Sequence, residues 1–278
     1  MMSDRTILFG PSQRATGGSD PELADMTLPK IAFAAAAILL VAAAAQAADR
    51  AVHLSVPPPV RRGIAAMPQI TDPADAAERK INAAVRRFDT SVRKAAGECR
   101  SDGKPGDWGR TVDATMRGPG FLSFVINDNY DCGGAYPNTG SISIVYDLQT
   151  GNPVDWTKLL PASLTGDLSL DNGADGTKTV QLSAKRLYAL YLTGIHYGKG
   201  ANDTDPECKD VLEQPDNTAP PMSAWLDAKQ GGLAVERNDL PHATAACEVP
   251  VVIPAATLRK EGASAVLTNA IEAAHAAR

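Results

Sequence analysis

Asp128 and Asp131 are the pair of carboxylates that this chain places near one turn, and paired carboxylates can share acid–base work when they face one substrate. The plainer reading of each is an Asp at a strand end that satisfies turn amides. Four histidines, His53, His196, His242 and His275, are scattered along the chain, and a lone His is more often a surface or capping residue than a ligand. His196 joins the two aspartates in the hydrolase that these residue types would permit. Four cysteines, Cys99, Cys132, Cys208 and Cys247, contain no C-x-x-C pair, which argues against a zinc ribbon or a thioredoxin-type site. Trp108, Trp156 and Trp225 can stack on sugar rings, but three tryptophans are more simply core residues. No G-x-S-x-G, H-E-x-x-H or Walker loop occurs, nor a G-x-G-x-x-G after a strand. Asp171 to Gly176 (DNGADG) starts like a calcium loop, yet its third position is Gly173 and its twelfth is Leu182, where a bidentate Glu is needed. No catalytic, metal or cofactor constellation is read, and the chain is expected not to be an enzyme.

The compartment bears on the cysteines. Ile31 to Ala45 is a run of apolar residues after Lys30, followed by Ala45-Gln46-Ala47. A basic residue, an apolar stretch and an A-x-A site match a secretory signal peptide. The run is short of the roughly 20 residues a membrane span needs. Met26 opens a more typical leader (MTLPK) than Met1 does. Residues 1–47 are therefore expected to be an N-terminal extension and signal peptide, with export to the periplasm or beyond and no stable span after cleavage. The competing arrangement is an uncleaved anchor with a cytoplasmic tail. Export implies an oxidising compartment, where an even number of cysteines forms disulfides. Four cysteines allow three pairings; order along the chain favours Cys99–Cys132 and Cys208–Cys247. A formal charge of −5, from 27 basic and 32 acidic residues, argues against nucleic acid and anionic membrane surfaces as partners.

The elements that would position these residues follow in order. Residues 48–66 read as an extended Pro-rich linker carrying a short strand at Val52 to Val56, and residues 67–278 as a single domain. Apolar residues at helical spacing (Ala77, Ile81, Ala84, Val85, Phe88, Val92, Ala95) predict a helix over Thr71 to Gly97, capped by Thr71 or Asp72. Its basic residues, Arg79, Lys80, Arg86, Arg87, Arg93 and Lys94, fall mostly off that face and read as solvated. Thr111 to Met116, Leu122 to Tyr130 and Ser141 to Leu148 alternate as strands, with Cys132-Gly133-Gly134 between the last two. Asp147 to Gly151 (DLQTG) reads as a tight turn in which Gly supplies the left-handed residue and Asp bonds to the backbone ahead. Leu164 to Thr179 reads as polar connection, Leu182 to Ile195 as a second helix, and Lys199 to Pro221 as a long loop. Met222 to Asp227, Gly232 to Arg237 and Val249 to Ile253 read as strands, and Ala255 to Ala277 as helix broken near Gly262.

Several of these stretches together resemble a known family. Met67-Pro68-Gln69-Ile70 followed by Lys80-Ile81-Asn82, then Phe121-Leu122-Ser123-Phe124, Tyr130, Gly133-Gly134-Ala135-Tyr136-Pro137 and Tyr146-Asp147-Leu148-Gln149-Thr150-Gly151 lie in the order of its motifs. Gly232-Leu233 and Val252-Ile253-Pro254 are similar to its closing hairpin and strand. The family holds the extracytoplasmic lysozyme-receptor domain of RsiV-type anti-sigma factors and the PdaC-type module associated with peptidoglycan deacetylases. The resemblance implies an α+β fold, an antiparallel β-sheet packed by helices, and binding or sensing at the cell envelope. The implied ligand is a glycan, a peptidoglycan fragment or a protein such as lysozyme. The family's histidine in "G-A-H" is Tyr136 here, so no imidazole role carries over, and no deacetylase domain accompanies the module. The ligand surface is expected at Gly133, Gly134, Tyr136 and Asn138. The rival readings are an envelope hydrolase acting on peptidoglycan and a membrane-anchored regulator.

Overall fold

A computed structural model describes residues 50–201, 203–213, 219–237 and 239–278. The extension, the signal peptide and the choice between Met1 and Met26 lie outside the described residues. Residues 50–66, read as a linker, are extended but packed. Val52 and Ile64 are buried, Val52 N–H donates to Arg117 O at 2.8 Å, and β1 (Leu54–Ser55) pairs antiparallel with β2 (Gln69–Ile70). Helix α1 (Ala76–Glu98) starts later than its apolar spacing suggests. The cap is Asp75, whose Oδ1 accepts from Glu78 N at 2.9 Å, while Asp72 sits at φ +50° and ends the approach instead. Glu78 is buried and pairs with Arg50 at 2.7 Å, tying the N-terminal strand to the first helical turn.

A small β3–β4 ribbon (Arg100–Ser101, Lys104–Pro105) leads into the central sheet. That sheet is β5 (Asp107–Arg117), β6 (Phe121–Asp131) and β7 (Asn138–Asp147), all antiparallel, in the order 5-6-7. Both its faces are buried, which explains why β6 opens with six buried residues in a row. Leu122, Phe124 and Ile126 pack with Ile142 and Tyr146 against Ile81, Val85 and Phe88 of α1. Phe121 and Val125 point the other way, into the larger core. The D-L-Q-T-G turn after β7 forms as read: Asp147 Oδ1 accepts from Gln149 N and Thr150 N at 2.7 and 3.1 Å. Gly151 is at φ +67°, and a Cβ there would stand 2.4 Å from Ala77 O, so glycine is required both for the turn and for the close approach of α1.

Short helices α2 (Trp156–Leu159) and α3 (Ala162–Thr165) follow. The stretch taken for polar connection is instead a hairpin, β8 (Asp167–Asn172) with β9 (Lys178–Ser183). Its alternation was hidden because β8 is an edge strand whose leucines, Leu168 and Leu170, face solvent. Helix α4 (Lys185–Gly194) therefore begins three residues after the expected start, and α5 (Cys208–Leu212) interrupts the long loop. Strands β10 (Met222–Asp227), β11 (Gly232–Arg237) and β12 (Val251–Pro254) complete a second antiparallel sheet in the order 12-11-10-9-8. A 3-10 helix, His242–Cys247, bridges β11 and β12. Helices α6 (Ala255–Lys260) and α7 (Ala265–Ala276) close the chain, and Leu258, Leu267 and Ile271 join α4's Leu187 and Tyr191 in the larger core.

The two sheets meet through β10. Ser143 Oγ of β7 donates to Ala224 O at 3.0 Å, and Leu226 N–H donates to Ser123 Oγ at 3.1 Å. The fold is thus α+β, with helix, sheet, sheet and helices in succession. The disulfides are Cys99–Cys132 and Cys208–Cys247, as order along the chain favours.

Candidate functional site

β5, β6 and β7 run further than the second sheet covers them, and their far ends change character. The buried run of β6 stops at Ile126 and gives way to Asn127-Asp128-Asn129-Tyr130. Register sets Thr111, Asn127 and Ser141 in one cross-strand row and Gly109, Asn129 and Thr139 in the next. Both rows line a cleft of about 850 Å³. Its other walls are the end of β8 and the turn after it (Asp171 to Ala174), Glu236 near the end of β11, and Ala245 and Glu248 around the 3-10 helix. Tyr130, which also lines it, stacks on Trp108 with ring centroids 4.9 Å apart.

A buried ion network holds these walls. Arg110, on β5, has no exposed side-chain surface. Its Nε and Nη2 donate to the two carboxylate oxygens of Asp128 at 2.7 and 2.6 Å, and Nη2 also donates to Asp175 at 2.9 Å. Trp108 Nε1 donates to the same Asp128 carboxylate at 2.9 Å. Asp175 belongs to the β8–β9 turn, so one guanidinium fastens that turn to the central sheet. Burial disfavours the Arg110 cation, and the hydrogen bonds and charge of Asp128 and Asp175 outweigh it, so the net shift of its pKa is upward. Only Nη1 lacks a partner.

The cleft is acidic: Asp128, Asp171, Glu236 and Glu248 face one guanidinium among its lining residues. Asp171 accepts from Gln181 Nε2 at 3.1 Å, and Glu248 Oε1 accepts from Leu240 N at 2.9 Å. Glu236 is the most perturbed. Burial lifts its pKa from the ordinary 4.5 to about 7, a hydrogen bond from Ser141 opposes the rise, and the charge of Glu248 adds to it. The folded protein therefore keeps a proton that the unfolded chain has already released between pH 4.5 and about 7. Stability falls as pH rises through that window and stays reduced above it. Glu236→Gln is expected to raise the Tm at pH 8 by about 4 °C or more, and to leave it unchanged near pH 4. Thermal scans of both proteins across pH check this, and a constant difference at all pH values would count against it.

Of the carboxylates and histidines singled out in the sequence, Asp128 alone lines this cleft among the described residues, and they do not converge. Asp128 is locked in the ion network. Asp131 Oδ1 accepts from Gly133 N at 3.1 Å, the turn-satisfying role. His196 is exposed after α4 and is not among the cleft residues. His275 Nδ1 lies 2.9 Å from Ala228 O, and His53 O accepts from Thr71 N. Among the described residues, no three His, Cys, Asp or Glu side chains are grouped to hold a metal ion. Gly133 (φ +86°) and Gly134 (φ +124°) form the turn after β6, and a Cβ on Gly133 would meet Arg100 O at 3.0 Å. Tyr136 is 67% exposed, and its ring stacks on His242 at 5.3 Å. Asn138 pairs with Tyr130 at the start of β7. These four residues do not line the cleft; they shape the turn next to Thr139 and Gly140, which do. Glu236, Glu248 and the Asn–Thr–Ser rows were missed. Their signal was present only as the switch from apolar to amide and hydroxyl residues along β6 and β7.

No family model matches the chain, and no curated protein matches it. Solved structures do. A member of the DUF3298 family from Bacteroides fragilis NCTC 9343 is similar over 73% of this chain and 74% of its own, with a TM-score of 0.43 and 15% identity. A DUF3298 family protein from Pseudomonas aeruginosa PAO1 is similar over 70% of this chain and 72% of its own, with a TM-score of 0.35 and 15% identity.

Proposed function

We propose that the chain is an exported cell-envelope binding module whose cleft takes a glycan of the peptidoglycan type, without chemistry of its own. The observation that carries this reading is the paired rows Thr111–Asn127–Ser141 and Asn129–Thr139 at the cleft wall. Amides and hydroxyls in register donate and accept in alternation, as hydroxyl and acetamido groups require. Tyr130 adds an aromatic face of the kind sugar rings pack against. The acidic balance favours the neutral N-acetylglucosamine units of such a glycan, rich in N–H and O–H donors, over its anionic peptide stems. An oxidising compartment agrees with two disulfides and no free cysteine among the described residues. Among the described residues, no helix is long and apolar enough to cross a membrane. The motif resemblance to envelope receptor modules points the same way.

Titration calorimetry with soluble muropeptides and with N-acetylglucosamine oligomers tests the reading. Asn127→Ala and Asn129→Ala are each expected to weaken binding about tenfold, the loss of one to two buried hydrogen bonds. Tyr136→Ala, at the adjoining turn, is expected to weaken it less. Absence of saturable binding by either ligand class would sink the proposal.

One observation favours a second reading, an envelope hydrolase. Glu236 is half-protonated near pH 7 in a cleft that also holds Glu248, the condition of a general acid beside a second carboxylate. Release of reducing ends from purified peptidoglycan, abolished by Glu236→Gln, would decide for it.

A further inference from the structure

A second pocket, of about 320 Å³, lies between α1, β7 and the β8–β9 turn. Its charge is the opposite of the cleft's. Lys80, Arg87 and Lys178 line it, and no Asp or Glu is among its lining residues, in a chain whose net charge is −5. Lys80 Nζ donates to Asn152 Oδ1 at 2.5 Å. No described carboxylate is in an ion pair with any of the three cations. Ser91, Asn152 and Thr177 supply neutral polar groups, and Phe88 and Ile144 an apolar wall.

At the pocket stands Tyr146. The residue is 1% exposed, and its body is part of the core beneath α1. Its hydroxyl makes no hydrogen bond to a described residue, and its slight exposure opens on this pocket. Burial pushes its pKa up, against the charge of nearby Arg87, so it stays a neutral O–H donor at every physiological pH. A hydroxyl that meets the solvent of a pocket can exchange its water for an acceptor on a ligand. The three cations are exposed around one small concavity, so an anion entering it meets all of them without displacing a carboxylate.

We propose that the Lys80–Arg87–Lys178–Tyr146 pocket binds the phosphate group of a phosphate monoester. A dianion matches three cations better than a single carboxylate does. Arg87 presents a planar fork for two phosphate oxygens, the lysines act as point charges, and the Tyr146 hydroxyl donates to a third oxygen. The apolar wall of Phe88 and Ile144 would hold the organic portion. The basic residues of α1 thereby divide: Lys80 and Arg87 face the pocket, and Lys94, which does not line it, is left to solvent.

Calorimetry with inorganic phosphate and with a hexose 1-phosphate, alongside vesicles containing phosphatidic acid, tests the proposal. Saturable binding is expected with a dissociation constant at or below about 1 mM for the hexose phosphate. Saturation by the soluble monoester places the group on a soluble ligand; binding to vesicles alone places it on a lipid headgroup. Arg87→Gln and Lys178→Gln are each expected to weaken binding about tenfold, and Lys94→Gln to leave it unchanged. Tyr146→Phe is expected to weaken it about fivefold at an unaltered Tm, since the hydroxyl makes no internal bond. No binding to any probe, or equal weakening by Lys94→Gln, would overturn the proposal. Neither result touches the glycan reading, because the two pockets share no residue.

Discussion

Reducing both disulfides is expected to unfold this domain at 37 °C. Cys99–Cys132 closes a loop of 33 residues and Cys208–Cys247 one of 39. Limiting the unfolded chain by loops of that size contributes about 3–4 kcal/mol each. The loops do not overlap, so their joint loss is about 6–8 kcal/mol, close to the whole stability of a typical domain. The two bridges also act at different places. The first pins the end of α1 to the turn that carries Gly133, Gly134 and Tyr136. The second pins α5 to the 3-10 helix, whose Ala245 lines the acidic cleft and is followed by Glu248. Replacing Cys99 and Cys132 by Ala is therefore expected to lower stability by about 3–4 kcal/mol while glycan affinity changes little. Replacing Cys208 and Cys247 is expected to cost a similar amount and to weaken binding as well. Denaturant melts with and without reductant, paired with calorimetry on each double variant, check this. A fully reduced protein that melts within a few degrees of the oxidised one would refute it.

Removing the guanidinium of Arg110 is expected to cost about 3–5 kcal/mol, because it leaves Asp128 and Asp175 buried side by side with no cation between them. A chain of this size then loses roughly 6–20 °C in Tm. Arg110→Lys is expected to recover only part of the loss. A single ammonium cannot supply the Nε and Nη2 pair that meets both oxygens of Asp128 and also reaches Asp175. The informative variant is the triple change Arg110→Met, Asp128→Asn, Asp175→Asn. It removes all three charges, and it is expected to be more stable than Arg110→Ala by about 2 kcal/mol or more. Urea melts of the three proteins measure this. A loss below about 1 kcal/mol in Arg110→Ala would mean that water replaces the pair, and that the network does not fasten the β8–β9 turn.

The stretches that sequence reading placed well are those whose physics is local. The apolar face of α1 repeats at helical spacing, and the closing hairpin follows its Gly231-Gly232 turn. The D-L-Q-T-G turn carries its own left-handed glycine and its own capping carboxylate. The cysteine pairing followed order along the chain. The helix starts at Ala76 because Asp75, not Asp72, caps it, and the approach before it is held where Ile70 meets Asn82. There Asn82 Oδ1 accepts from Ile70 N, and its Nδ2 donates to Ile70 O. β8 was missed because an edge strand with solvent-facing leucines carries no buried alternation to read.

The sequence by itself determined the long helix, the β6–β7 and β10–β11 hairpins with their glycines, and an even set of cysteines, because each depends on neighbours a few residues away. Tertiary structure alone decided where chemistry can occur. Arg110 meets Asp128 across 18 residues and Asp175 across 65, and Glu236 reaches Ser141 from another sheet. Tyr146 and Arg87 face one pocket from a strand and a helix. No spacing rule links such residues; the meeting of two sheets does, and it gives one polar cleft an acidic lining and the pocket beyond the β8–β9 turn a basic one.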